Sequence, residues 1–317
     1  MRQRPETVAL LSMLQGLAEV AGQRLARQLR QHGAGRALLA SSPLLHREHT
    51  SSPDGSGPSL GRVTPELLER ARALAAGTLT PAAPRDATTV VLLREEPADG
   101  LQVHLQLRPT SMAFAAGVWV FPGGRLEPAD ADVAVDLPSH WADLLAGGDA
   151  ALAAALVVAG VRETFEEAGA LLGGLAVPAD LLPARSGPFV EVVAGARLST
   201  HAIVPWARWV TPELEPRRYD TRFLVAALPE GQQTAGDDAG GEAEATIWLT
   251  PQQALDRRAE ETMVLMPPTA FALAELTAYD TVEAVLAAAQ ERDCAPVLPR
   301  FLVEGETLRL ALPGERA

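Results

Sequence analysis

Apolar positions recur every three to four residues over 5–31 and 150–172, while shorter stretches are dense in Val, Leu, Thr and Trp. These two textures divide the chain into helices and strands. Helices are expected over 5–31, 64–76, 150–172, 250–258, 269–278 and 282–292. Thr64-Pro65 and Thr250-Pro251 each place a hydroxyl at the N-cap and proline at the first helical position, and Gly77 stops the helix begun at Thr64. Strands are expected over 88–93 and 101–107, around the turn 97–100, and over 117–121, 198–210, 218–227 and 246–249, with a closing hairpin over 303–312. Strands flanked by helices without regular βαβ alternation predict an α+β fold, a mixed sheet sandwiched by helices. No internal repeat is visible.

The same pattern suggests three regions. Residues 1–62 read as an N-terminal helical extension followed by a Ser/Gly/Pro-rich linker, 63–295 as the main domain, and 296–317 as a C-terminal tail. Within the domain, 131–148 carries Pro138, Trp141 and Gly147-Gly148 and is expected to be a loop that shapes a substrate pocket. Residues 1–36 hold six Arg and two Glu, a net of +4 against −17 for the remainder. A basic amphipathic helix of this kind suits a membrane surface or a partner, but a poorly docked extension explains it as well. Two linker patterns are set aside. Residues 57–61 fit G-x-S-x-G without the strand that a nucleophile elbow needs, and His46 and His49 sit in a stretch too irregular to hold a metal.

Composition narrows the chemistry. The 47% hydrophobic content over 317 residues suffices for a substantial core. A net charge of −13 argues against binding nucleic acid through charge. The chain contains no Lys, which excludes a P-loop lysine, a Schiff base and a Ser-x-x-Lys nucleophile. The single Cys294 leaves no intrachain disulfide and no cysteine-cluster zinc site, in keeping with a cytoplasmic protein. No run approaches 18 uninterrupted apolar residues, so integral membrane association is not expected. The oligomeric state stays open, a homodimer included.

The candidate chemistry lies in two pieces, FPGGRLEPAD at 121–130 and RETFEEAGA at 162–170. Glu163, Glu166 and Glu167 stand at i, i+3 and i+4, on one helix face at about 100° per residue. Val158, Val161, Phe165 and Leu172 supply the apolar opposite face. Three adjacent carboxylates repel in water, and a hard divalent cation turns that repulsion into a binding site. Gly123 and Gly124 make a turn where bare backbone can approach a ligand.

Together these pieces resemble the Nudix hydrolase signature: Gly, five residues, an acid, seven residues, then Arg-Glu-U-x-Glu-Glu-x-Gly-U, with U aliphatic. Gly124 matches the first Gly, and Arg162, Glu163, Glu166, Glu167 and Gly169 match the second half. Asp130 stands where the family usually has Glu, and Thr164 and Ala170 stand at the aliphatic positions. Residues 131–161 put 31 positions where the family has seven, an excess of 24. Such a split box is similar to the branch that includes the coenzyme A diphosphatases, and 86–290 reads like that branch's domain.

The resemblance implies a Nudix-type α/β/α sandwich that hydrolyses a nucleoside diphosphate-linked small molecule, with coenzyme A or an acyl-CoA as first choice. It implies Mg²⁺ or Mn²⁺ held by Glu163, Glu166 and Glu167, with a carbonyl of the turn at Gly124 as a further ligand. Glu163 is also a catalytic candidate. Arg162 would orient the glutamates, paired with Glu166 and Asp130. The general base varies within the family, and Glu242 and Glu244 are candidates beside a solvated acidic loop as the alternative. For substrate, Arg108, Arg218 and Arg222 are expected to hold phosphate oxygens. Arg222 equally suits a pair with Asp220 or Glu215. Trp206 and Trp209 suit either stacking on a base or packing, and His104 and His201 read as satisfied structural histidines. The competing functions are a catalytically inactive Nudix ligand-binding or regulatory module, and an adaptor acting through residues 1–60.

Overall fold

The computed structural model describes residues 65–110, 117–175, 189–234, 243–311 and 313. The helix expected over 5–31, the linker with its 57–61 and His46/His49 patterns, Thr64 and Glu242 lie outside them. Helix α1 (Pro65–Ala75) precedes β1 (Arg85–Glu96), β2 (Gly100–Leu107), β3 (Trp119–Val120) and β4 (Gly123–Arg125). A 3-10 turn at Pro128–Asp132 leads to β5 (Ala134–Asp136), α2 (Trp141–Ala146), α3 (Ala150–Ala168) and the short α4 (Phe189–Val192). Then come β6 (Arg197–Ser199), β7 (Ile203–Val210), β8 (Tyr219–Ala227), β9 (Ala245–Leu249), α5 (Pro251–Ala259), α6 (Pro267–Leu276) and α7 (Val282–Gln290). The strands β10 (Pro296–Val297), β11 (Arg300–Glu304) and β12 (Thr307–Ala311) close the described chain.

A mixed sheet is built around β1, in the order β10-β7-β8-β1-β2-β3, with β4 also on β1 and β9 on β2. Strand β1 runs parallel to β8 along Arg85–Leu93 and antiparallel to its other neighbours. Its first half meets β4, with Thr88 opposite Gly124, and its second half meets β2. Val90, Val91, Leu92 and Leu93 are all fully buried, because helices cover both faces of the sheet. That explains a continuous apolar run where a half-exposed strand would alternate.

Helix α3 lies on one face. Asp149 caps it, its carboxylate accepting the Leu152 amide at 3.0 Å. The Thr88 hydroxyl of β1 donates to the Leu156 carbonyl at 2.7 Å and ties helix to sheet. The helix stops at Ala168 rather than 172. Gly169 takes a left-handed cap with φ 73° and donates to the Phe165 carbonyl. Leu171 then bonds the Gln232 amide through both its backbone groups, at 2.8 and 3.0 Å. Helices α6 and α7 pack on the sheet as well, and Phe271 of α6 meets Trp209 of β7 edge to face.

The insertion 131–148 is not a loop. Strand β5 pairs parallel with β6, and α2 buries Trp141 and Leu145 against the core. Gly147 ends α2 in a left-handed cap. A six-residue helix with two apolar side chains on one face is enough to fold this segment onto α3. The stretch 198–210 is likewise two strands. Thr200 breaks it by accepting the Ile203 amide on its carbonyl and donating its hydroxyl to the Asp136 carbonyl. At the C-terminal end, β10 joins the main sheet parallel to β7. The β11–β12 hairpin packs on α1 through a second small core of Leu68, Ala71, Leu214 and Leu308. Among the described residues no helix is long and apolar enough to cross a membrane.

His104 corrects a sequence expectation, since it is not satisfied. It is fully buried on β2 against Trp248, and neither ring nitrogen has a hydrogen-bond partner. Burial, and then the Arg94 charge, lower its value from 6.5 to about 4. The folded protein therefore binds this proton less readily than the unfolded chain. Its contribution is complete above pH 6.5 and is lost as pH falls towards 4. Between pH 7 and pH 5 the loss amounts to about 2 kcal/mol. Urea unfolding of His104→Leu at the two pH values should show a correspondingly smaller drop than the parent, and equal drops would contradict this reading.

Candidate active site

The acids of α3 face the β4 turn, with Arg162 at their centre. Its Nε and Nη2 bond both oxygens of Asp130, at 2.7 and 3.1 Å. Its Nη1 donates to Glu163 at 2.8 Å and to Glu166 at 3.0 Å, and Nη2 also reaches the Arg125 carbonyl at 3.1 Å. Asp130 has no exposed side-chain surface and sits in the 3-10 turn, where it also accepts the Glu127 amide. That tight turn brings the backbone close enough for an Asp to reach Arg162 where the family usually has the longer Glu. Burial opposes the charge on Arg162, but Asp130 and Glu163 outweigh it and raise its value.

Glu167 is anchored separately. One carboxylate oxygen accepts the Gly123 amide at 2.8 Å and the Gln106 side-chain amide at 2.5 Å. Burial pushes Glu167 up to about 7, with the Gly123 N–H working against that rise and the Glu163 charge adding to it. Burial also raises Glu163 and Glu166, against the pull of Arg162. Gly124 lies flat against Glu163, so that a Cβ there would collide with its carboxylate.

The donor chemistry suits a hard divalent ion: three carboxylates, all raised by burial, against a turn stripped of side chains. In this arrangement Glu163 and Glu166 lean on Arg162. Among the described residues no three acids or other ligating side chains are gathered around one point.

A cavity of about 330 Å³ opens beside the turn, with Gly123, Gly124, Arg108 and Arg125 among the residues that line it. Arg108 has a buried Nε without a hydrogen-bond partner. Arg218 and Arg222, expected from sequence to hold phosphate, are committed to the fold instead. Arg218 donates to the Thr211 and Ala82 carbonyls at 3.0 and 2.7 Å. Arg222 is buried and bonds the Leu145 and Asp220 carbonyls and the Asp86 carboxylate. Of the two tryptophans, Trp209 lines the cavity, whereas Trp206 is fully buried under the Arg292 guanidinium. Glu244 is exposed at the entrance to β9, accepts the Thr110 amide at 3.3 Å and donates its own amide to the Leu107 carbonyl. His201 is exposed beside Ser199, away from the acids' hydrogen-bond network. The insertion contributes no residue to the cavity lining.

Sequence reasoning missed Gln106. The signal was an alternation of Gln102, His104 and Gln106, which puts three polar side chains on one face of the strand.

No family model matches the chain. The chain is similar to acyl-coenzyme A diphosphatase NUDT19 of Gallus gallus, 26% identical over 283 residues, covering 69% of this chain and 73% of that one. It is also similar to the Homo sapiens protein of the same name, 27% identical over 238 residues, covering 59% of this chain and just 63% of the human one. Among solved structures, a NUDIX hydrolase from Alicyclobacillus acidocaldarius is 25% identical, covers 65% of this chain and 96% of its own, and superposes with a TM-score of 0.51. Likeness in sequence and likeness in backbone thus point to one superfamily, and the chain resembles the Nudix hydrolases, the coenzyme A diphosphatases among them.

Proposed function

We propose that the protein is a metal-dependent pyrophosphohydrolase that cleaves the diphosphate of a nucleoside diphosphate-linked compound, with coenzyme A or an acyl-CoA as substrate. The observation that carries this reading is the row of Glu163, Glu166 and Glu167 set against a bare Gly123-Gly124 turn at the edge of a cavity. Its support from similarity is the name borne by the chicken and human relatives.

In this proposal the three glutamates would hold Mg²⁺ or Mn²⁺, with the Gly124 carbonyl as a further ligand. When bound, the ion supplies charge screening of the diphosphate and a lowered pKa for the attacking water. Arg162 and Asp130 position Glu163 and Glu166 without touching substrate. Arg108, which lines the cavity and has a buried Nε without a partner, binds a phosphate oxygen. Water attacks phosphorus, a bridging P–O bond breaks, and Glu163 or Glu244 takes the proton. A cytoplasmic location belongs to the same proposal and rests on the lone Cys294.

The test is turnover of CoA, an acyl-CoA, NADH, ADP-ribose, diadenosine polyphosphates and oxidised dNTPs with Mg²⁺ or Mn²⁺, with phosphate-containing products identified. Cleavage of CoA or the acyl-CoA with the highest kcat/KM is expected, and inertness towards the whole set would end the proposal. Gly124→Ala should displace the Glu163 carboxylate while leaving the fold intact. A kcat reduced by about 10²-fold at an unchanged unfolding temperature is expected, because small misplacements at a reacting centre carry losses of that order. One observation favours the rival reading of an inactive ligand-binding module, since Arg162 already satisfies Glu163 and Glu166. Calorimetric binding of a ligand without turnover at any metal concentration would select it.

A further inference from the structure

The cavity beside the glycine turn also contains an acid that the proposed chemistry does not use. Glu215 lines it together with the aromatic rings of Trp209, Tyr219, Phe223 and Phe301. Glu215 is half-buried, and among the described residues its carboxylate makes no hydrogen bond or ion pair. Arg70, whose charge acts on it, directs its Nε instead to the Leu214 carbonyl at 2.9 Å. A half-desolvated carboxylate without a partner destabilises the fold, so its retention in an apolar cavity calls for a hydrogen-bond donor from outside.

The loop that carries Glu215 is rigidly held. Leu214 is buried in the second core with Leu68, Ala71 and Leu308, which fastens the loop to α1 and to the C-terminal hairpin. The Glu215 amide donates to the Pro212 carbonyl at 3.1 Å. The two ends of the loop are tied together, Arg218 holding the Thr211 carbonyl at 3.0 Å and the Tyr219 amide donating to the Thr211 hydroxyl at 3.0 Å. An acceptor-only group is thus fixed in a slot with flat apolar walls, in the same cavity as Arg108 and the glycine turn.

We infer that this slot receives the base of the nucleoside, and that Glu215 selects adenine by accepting a hydrogen bond from its exocyclic amine. The inference rests on the proposed hydrolysis of a nucleoside diphosphate-linked compound. The cavity volume lies in the range of small-molecule sites. Flat rings suit stacking, which by itself does not distinguish bases. The carboxylate supplies the distinction. Hypoxanthine carries an oxygen where adenine carries the amine, and two acceptors would then face each other. A site built to hydrogen-bond an N–H strongly rejects the analogue that lacks it.

The experiment compares coenzyme A with its hypoxanthine analogue as substrates of the full chain, and AMP with IMP as calorimetric ligands. The parent should prefer the adenine compound by about 10²-fold in kcat/KM and bind AMP more tightly than IMP. Glu215→Gln offers an amide donor to the hypoxanthine oxygen and should narrow or reverse the preference, while Glu215→Ala should abolish it. A parent that cleaves both compounds equally, or a ratio unchanged by Glu215→Gln, overturns the base assignment and leaves the hydrolase reading intact. A parent that cleaves neither compound overturns the hydrolase reading, and AMP against IMP binding then judges the base slot by itself. Equal affinity for the two nucleotides would dismiss it.

Discussion

Arg162→Met should lower the unfolding free energy by about 3–5 kcal/mol, the range for breaking a buried ion pair from one side. The substitution leaves Asp130, which has no exposed side-chain surface, without its two-pronged donor. It also frees Glu163 and Glu166 to repel each other and removes the tie to the Arg125 carbonyl. Because this guanidinium ties α3 to both the 3-10 turn and the β4 region, a thermal midpoint lower by on the order of 10 °C is expected for a domain of this size. The double substitution Arg162→Met with Asp130→Leu separates stability from chemistry. Replacing both charges with apolar groups should restore much of the stability, while activity stays low because the glutamates have lost their positioning group. If Arg162→Met alone unfolds within about 1 kcal/mol of the parent, the guanidinium is not the centre of this network.

Glu167→Gln should do the reverse, raising stability while removing activity. Its folded value near 7 lies above the ordinary 4.5, chiefly through burial. The sign follows from that. The folded state holds this proton more tightly than the unfolded chain, so the associated stability is complete below pH 4.5 and is lost as pH rises through 7. At pH 8 to 9, without added metal, the charged Glu167 costs the fold up to about 3 kcal/mol, which a neutral amide avoids. Gln106 can accommodate the change by turning its Oε1, now buried without a partner, towards the new amide. Activity of Glu167→Gln, and of Glu166→Gln, should fall by more than about 10²-fold, the scale of losing a preorganised charge at a reacting centre. Such opposed effects are common where an active site is strained for its task. Retention of activity by both variants would remove the glutamates from the proposed metal site, whatever their stability.

Local rules made much of this protein legible. The placement of Glu163, Glu166 and Glu167 on one face follows from helical geometry within five residues. The Thr250 cap is confirmed by its hydrogen bond with the Gln253 amide at 3.1 Å, because a cap is complete within one turn. Strand β1 was readable from its apolar run, although its full span was longer, since Arg85–Ala87 and Arg94–Glu96 owe their extended form to pairing with β8, β4 and β2.

Long-range partners were not legible. An arginine in a run such as PRRYDTRF looks the same whether it awaits a phosphate or serves the fold. Arg218 and Arg222 serve the fold, and their partners include Ala82 and Asp86, each 136 residues away. Trp141 and Leu145 looked like part of a loop because their helix is too short to show a period.

From its sequence alone this chain declares an acid-bearing helix, a glycine turn and the type of fold that unites them, because periodicity, capping and signature spacing act over a few residues. Only the tertiary structure decides that Gln106 and the Gly123 amide hold Glu167, that Arg218 and Arg222 brace the fold, and that Glu215 shares a cavity with Arg108. Those relations depend on which distant strands pair and which faces are buried, and no short stretch of sequence contains that choice.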